Sequence, residues 1–134
     1  MTTLTELLTF VVTALQTSEI CRDVRVIETQ QFSDEQFAIK VRCEITTGGQ
    51  LQVRLYQNGE HVDYAYQLFR DEQPVIRWDN KEHFPEISTY PHHFHNASGG
   101  VSESALNGNA SHDLPFVLNQ LATTTSTSPS DSDH

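Results

Sequence analysis

This sequence has few cationic side chains, and it has none after Lys81. It contains 8 Lys and Arg against 18 Asp and Glu, which gives a formal net charge of −10. Residues 82–134 contain six acidic residues and no Lys or Arg. Proteins that bind nucleic acid tightly over a broad surface are usually basic. The charge therefore argues against such a binder and confines phosphate contacts by Lys or Arg to residues 1–81.

Cysteine and long apolar runs are also scarce. The two cysteines, Cys21 and Cys43, lack metal-ligand spacing, so we expect buried free thiols rather than a zinc ribbon or a disulfide framework. No apolar run approaches the ~20 residues that span a bilayer. The N-terminal stretch has Glu6 and no cation before Arg22, unlike a signal peptide. These absences predict a soluble, cytoplasmic protein with no membrane partner.

The first part of the chain has the pattern of a helix followed by short strands. Residues 3–17 have helical spacing of apolar residues, and Thr3 and Glu6 have the spacing of a capping box. Alternation then predicts strands at about 21–31, 36–46, 51–55, 61–69 and 75–79. Gly48-Gly49 and Asn58-Gly59 are typical hairpin turns. We therefore predict an α+β fold, in which the N-terminal helix packs on an antiparallel meander of about five strands.

The C-terminal part has weaker patterns. Residues 96–112 are rich in Ser, Asn, Gly and Ala, so we expect a poorly ordered segment of low complexity. Residues 113–122 contain enough apolar residues for a short C-terminal helix. Residues 123–134 are rich in Thr and Ser, which is typical of a disordered tail. The prediction is one globular domain, 1–122, followed by that tail.

A histidine-rich stretch at 77–95 has the residues best suited to chemistry, and we expect it to be a loop. Four of the seven histidines lie there: His83, His92, His93 and His95. Imidazoles titrate near neutral pH, so two of them could act as general base and general acid in metal-free RNA cleavage by 2′-hydroxyl attack. Asp79 or Glu86 could orient one of them. These six residues are the candidate catalytic residues.

Other side chains of the stretch are candidates for binding RNA. Arg77 could stabilise the charge of the phosphorane, and Trp78 and Tyr90 could stack on unpaired bases. The candidate substrate-binding residues are Arg77, Trp78, Asn80, Lys81 and Tyr90.

Two other interpretations of the same residues remain open. The histidines and carboxylates could bind a metal, although their spacing fits no standard zinc pattern. The loop could equally have no chemical role, since a single Trp is more often a core residue than a stacking platform. A non-enzymatic protein-binding module is a further alternative.

The order of residues in this stretch resembles a known family. Trp78-Asp79-Asn80, His83, Pro85-Glu86-Ile87, Thr89, Pro91-His92-His93 and His95 are similar to the central motif of the TumE family of toxin–antitoxin systems. The resemblance extends over about residues 20–96. It implies a toxin that cleaves RNA as an endoribonuclease and is neutralised by a cognate antitoxin. Together with the metal-free acid–base chemistry described above, it predicts no cofactor. It leaves homo-oligomerisation open.

Two phenylalanines depart from that pattern. Where members of the family typically have Ala-Pro-His-His after the Asn, this sequence has Lys81-Glu82-His83-Phe84. Where they commonly have Lys between the last two histidines, it has Phe94. A histidine and a cation are thus missing at positions where the resemblance would place phosphate contacts.

Overall fold

The computed structural model describes residues 2–127, and the side chains of residues 2–123. Two helices and seven strands follow in the order α1 (Leu4–Thr17), β1 (Cys21–Ser33), β2 (Gln36–Ile45), β3 (Gln50–Asn58), β4 (His61–Arg70), β5 (Gln73–Asp79), β6 (His93–His95), β7 (Val101–Glu103) and α2 (Ala110–Thr127). The strands form one antiparallel sheet in sequence order. The predicted α+β class is confirmed, with seven strands rather than about five.

Helix α1 begins as its sequence predicts. The Thr3 hydroxyl accepts from the Glu6 backbone N–H at 3.1 Å, and the Glu6 carboxylate accepts from the Thr3 N–H at 3.0 Å. The helix packs on β1 and β2 through Leu7, Val11 and Leu15, which are buried. Alternate residues of each strand point to the same side of the sheet. The apolar residues on one side pack against both helices and form the core with them. We call the opposite face the outer face.

The C-terminal part differs from the sequence prediction. The segment expected to be poorly ordered contains β7 and a loop whose backbone N–H groups, at Asn107 and Gly108, donate to the buried Asp113 carboxylate. Helix α2 spans Ala110–Thr127 instead of 113–122. It therefore includes the first five residues of the predicted tail, and residues 128–134 lie outside the described residues.

Two further expectations can be compared with the structure. Cys21 and Cys43 are buried free thiols, as predicted. Within the part of the chain that the structure describes, neither helix is long and apolar enough to cross a membrane.

Candidate active site

The pairing of β5 with β6 brings four polar side chains together on the outer face. The register places Arg77 opposite His95 and Asp79 opposite His93. Trp78 and Phe94 form the pair between them and point to the core face, with ring centroids 4.9 Å apart. The expected loop thus contains a short strand, whose His-Phe-His alternation puts both histidines beside Asp79.

Asp79 is the centre of this cluster and is almost completely buried, with 1% of its surface exposed. Its Oδ1 lies 2.9 Å from His93 Nε2 and accepts the Lys81 backbone N–H at 3.0 Å. Its Oδ2 lies 2.6 Å from Arg77 Nε and 3.5 Å from His95 Nε2. One carboxylate therefore contacts all three other members of the cluster.

His93 is fixed at both ring nitrogens. Its Nδ1 lies 3.0 Å from the Pro91 carbonyl oxygen, which can only accept, so Nδ1 bears a proton and donates it. Nε2 faces Asp79 Oδ1. A second proton on Nε2 makes an imidazolium–carboxylate pair, whereas a bare Nε2 would present a lone pair to a cation. The geometry thus suits either a proton donor or a metal ligand.

The Arg77–Asp79 contact is an ion pair without a hydrogen bond. Although the atoms are 2.6 Å apart, the N–H of Arg77 Nε is not directed at Oδ2, and neither buried atom has a hydrogen-bond partner among the described residues. Buried polar atoms are normally paired. The cluster therefore has unused hydrogen-bonding capacity beside His95.

His95 is the most accessible histidine of the cluster, with a quarter of its side chain exposed. Burial lowers the pKa of His95 from the usual 6.5, repulsion from the Arg77 guanidinium lowers it further, and Asp79 acts in the opposite direction. Arg77 Nη2 lies 3.3 Å from His95 Nε2 and can donate to it. These contacts favour a neutral imidazole, as a general base requires.

Phe84 covers the cluster on its solvent side. Its ring meets His93 edge-on at 4.9 Å and His95 at 6.0 Å between centroids. This is one of the two phenylalanines that depart from the family pattern. The other, Phe94, is a core residue packed on Trp78. Their roles differ, because only Phe84 touches the catalytic candidates.

The remaining catalytic candidates lie apart from the cluster. His92 points to the other side of β6, where Tyr64 Oη lies 2.8 Å from its Nδ1 and the two rings stack. Burial is the main cause of its lowered pKa. His83 is exposed, and its ring meets the edge of Phe84 with centroids 6.3 Å apart. Glu86 is exposed in a separate shallow cleft with Glu103.

Some of the predicted substrate-binding residues have a structural role, and the others are accessible to a ligand. Trp78 is buried, with 4% of its surface exposed, so no ring face is open to a base. The Asn80 side chain accepts from the Tyr64 N–H and donates to the Val62 carbonyl, and so extends the pairing of β4 with β5. Lys81 and Tyr90 are exposed. Arg77, Lys81 and Tyr90 thus remain available for binding.

Sequence reasoning missed the Pro91 carbonyl and the cover formed by Phe84. The alternation of His93-Phe94-His95 was a signal for the shared face of the two histidines, but three residues are too few to be recognised as a strand. Nothing in the sequence around Phe84 shows where its ring packs.

Asp79, His93 and His95 also have the composition of a metal site. One donor atom from each lies within 4.8 Å of the others. Arg77 opposes this use, since its guanidinium lies against the same Asp79 and His95 atoms and would repel a metal cation. The cluster therefore fits proton transfer better than metal binding.

The comparisons with known proteins support the family resemblance. The family model described as Toxin TumE matches residues 11–121, which include the whole sheet and the cluster. No curated protein and no solved structure matches the chain. The resemblance seen in the sequence is confirmed by the family match, while the roles of individual residues depend on the geometry given above.

Proposed function

Because this chain belongs to the TumE toxin family and is thus the toxin component of a toxin–antitoxin system, we propose that it is a metal-independent endoribonuclease. The family implies an antitoxin as its protein partner. One observation carries the proposal of RNA cleavage: the buried Asp79 carboxylate contacts His93, His95 and Arg77 together. Two imidazoles with different accessibility and a guanidinium are the groups that 2′-hydroxyl attack needs.

In the proposed reaction, His95 is the general base. A bound phosphate draws the Arg77 guanidinium away from His95 Nε2, which then takes the proton of the 2′-hydroxyl. The 2′-oxygen attacks phosphorus and the bond from phosphorus to the 5′-oxygen breaks. The products are a 2′,3′-cyclic phosphate and a 5′-hydroxyl, while Arg77 offsets the charge of the phosphorane.

His93 is the proposed general acid. With Nδ1–H directed at the Pro91 carbonyl and Nε2–H at Asp79, it holds the proton that the leaving 5′-oxygen takes up. In the free protein the Phe84 ring covers His93. Bound RNA therefore has to displace this ring, and the leaving 5′-oxygen has to replace Asp79 Oδ1 as the acceptor of the Nε2–H. Asp79 acts as a positioning residue through its contacts with the two histidines.

The test is RNA cleavage by the untagged protein and its variants. We expect His95→Ala, His93→Gln and Arg77→Ala to reduce cleavage at least ~100-fold, the lower end of general acid–base contributions. His92→Gln, on the other side of β6, should retain most activity, and the exposed His61→Ala is the matched surface control. A 2′,3′-cyclic end on the product is expected. Full activity of His95→Ala would overturn the proposal.

A metal-dependent site is the second candidate, favoured by the three donor atoms within 4.8 Å of one another. It predicts stoichiometric metal in untagged protein and cleavage that stops with chelator. The metal-free mechanism predicts cleavage that a chelator leaves unchanged.

A non-enzymatic binding module is the remaining alternative. It predicts a tight complex with the antitoxin and no cleavage of any RNA. A cytoplasmic location is part of the proposal, since that is where a toxin meets translated RNA. Assembly into homo-oligomers stays a prediction from the sequence.

A further inference from the structure

A second cleft lies on the outer face of the sheet, beside the catalytic cluster. It has a volume of about 530 Å³ and is lined by residues of β1 to β4 and by Asn80 and Lys81. A row of paired residues links it to the cluster, from Lys40 through Arg54, Ala65 and Asp79 to His93. Adjacent strands are ~4.8 Å apart, so Arg54 lies roughly 10 Å from Asp79.

Two aromatic rings border this cleft. Phe32 is 58% exposed, and its ring meets Tyr56 edge-on with centroids 6.4 Å apart. Tyr56 is half-buried, and its hydroxyl accepts from the Gln36 side chain. Core packing does not account for a phenylalanine this exposed. Exposed aromatic faces on a sheet are the usual platforms for unpaired bases.

The charge of this cleft differs from that of the protein as a whole. Its lining contains Lys40, Arg54 and Lys81 against Glu28 and Asp63. Lys40 pairs with Glu28 at 3.7 Å, whereas Arg54 and Lys81 have no acidic partner within 4.0 Å among the described residues. In a chain with a net charge of −10, two unpaired cations beside a base platform are a local site for phosphates.

Two other clefts of the described residues provide a contrast. One of them, of about 700 Å³, is lined by Glu6 and Glu60 and has no Lys or Arg in its lining. The cleft at Glu86 and Glu103 is likewise without a cation among its lining residues. Neither has the charge to hold a polyanion.

We infer that single-stranded RNA binds across the outer face, with a base stacked on Phe32 and Tyr56 and phosphates at Arg54 and Lys81. The strand then continues to Arg77 and His95, where it is cut. Cleavage of the strand at His95 rests on the proposed function, whereas binding of RNA in the cleft does not depend on it. Single strands are favoured because the bases of a duplex are not free to stack on protein rings.

The test measures RNA binding and cleavage separately. Binding of a fluorescently labelled oligouridylate of about twelve nucleotides is measured by anisotropy in the His95→Ala background, so that no RNA is cut. We expect Phe32→Ala to weaken binding ~5-fold or more and Phe32→Tyr to restore it. Phe10→Ala is the matched control, since Phe10 is an exposed aromatic that lines the acidic cleft instead.

The cationic residues give an independent readout. Arg54→Ala and Lys81→Ala should each reduce the salt dependence of binding by about one phosphate contact. Variants are compared after thermal melts confirm that they fold.

The outcomes separate this inference from the proposed function. Normal oligouridylate binding by Phe32→Ala would overturn the platform, even if wild-type protein cuts RNA. Phe32-dependent binding without cleavage would support the platform and reject the endoribonuclease. Loss of antitoxin binding by Phe32→Ala, with RNA binding unaffected, would assign the surface to the protein partner and overturn the inference.

Discussion

Asp79 and His93 face each other across β5 and β6, with Oδ1 2.9 Å from Nε2, and both side chains are almost fully buried. Water does not solvate either group, so each depends on protein partners. The Lys81 N–H and the Pro91 carbonyl supply the remaining hydrogen bonds to this pair. The pair therefore contributes to stability as well as to the proposed chemistry.

Asp79→Asn should destabilise the fold by about 3 kcal/mol, because it removes the charge of a buried carboxylate that pairs with Arg77 and contacts the buried His93. The measurement is the free energy of unfolding in urea. Asp63→Asn is the control, since Asp63 pairs with His61 at the surface, and its effect should be within about 0.5 kcal/mol. Equal effects of the two substitutions would contradict the role of the buried pair.

Stability should fall on mild acidification, because burial lowers the pKa of both His92 and His95. The unfolded chain binds these protons near pH ~6.5, while the folded state binds them only at lower pH. The stability that the two neutral histidines contribute is thus fully present above about pH 6.5 and is lost as the pH falls below that value.

Chemical denaturation from about pH 8 to about pH 5 measures this dependence. His92→Gln should reduce the fall in stability between these pH values, since glutamine does not titrate. The same slope in His92→Gln and wild type would show that His92 is not the origin.

The sequence predicts the elements whose signals are local. The capping box of Thr3 and Glu6 and the turn residues Asn58-Gly59 specify their neighbours directly. Strand β6 has no such signal, because its three residues become a strand by pairing with Arg77–Asp79 on one side and with β7 on the other. The loop before α2 is fixed mainly by side-chain acceptors, above all the Asp113 carboxylate in the first turn of the helix, and its composition alone does not show which N–H groups they bind.

The candidate site could likewise be predicted only in part, because its arrangement depends on strand pairing. The sequence identified Asp79, His93, His95 and Arg77, but it could not separate them from His92 or Glu86. His92 directly precedes β6, and adjacent residues of extended chain point to opposite sides, so His92 and His93 lie on different faces of the sheet. Trp78 was a binding candidate and is a core residue for the same reason.

Phe84→Ala should raise the pKa of His95, because removal of the covering ring lets water reach the imidazole. NMR titration of the histidine side chains measures the shift directly. In RNA cleavage, the acidic limb of the pH profile should move upward with it. Phe94→Leu is the control, since Phe94 packs on Trp78 on the core face and should alter stability without moving this titration.

Arg77→Ala should increase the affinity for divalent metal. In the wild type the guanidinium lies against the donor atoms that a metal would use, and the substitution removes it. Cobalt is a suitable probe, since its absorption spectrum reports histidine and carboxylate ligands. We expect the variant to bind cobalt at least ~10-fold more tightly than the wild type, equivalent to about 1.4 kcal/mol. Adding Asp79→Asn to this variant should abolish the gain in cobalt affinity.

The contradicting outcome is tight, stoichiometric cobalt binding by the wild type that Arg77→Ala leaves unchanged. It would show that Arg77 does not occupy the position of a metal cation, and it would favour the metal-dependent mechanism.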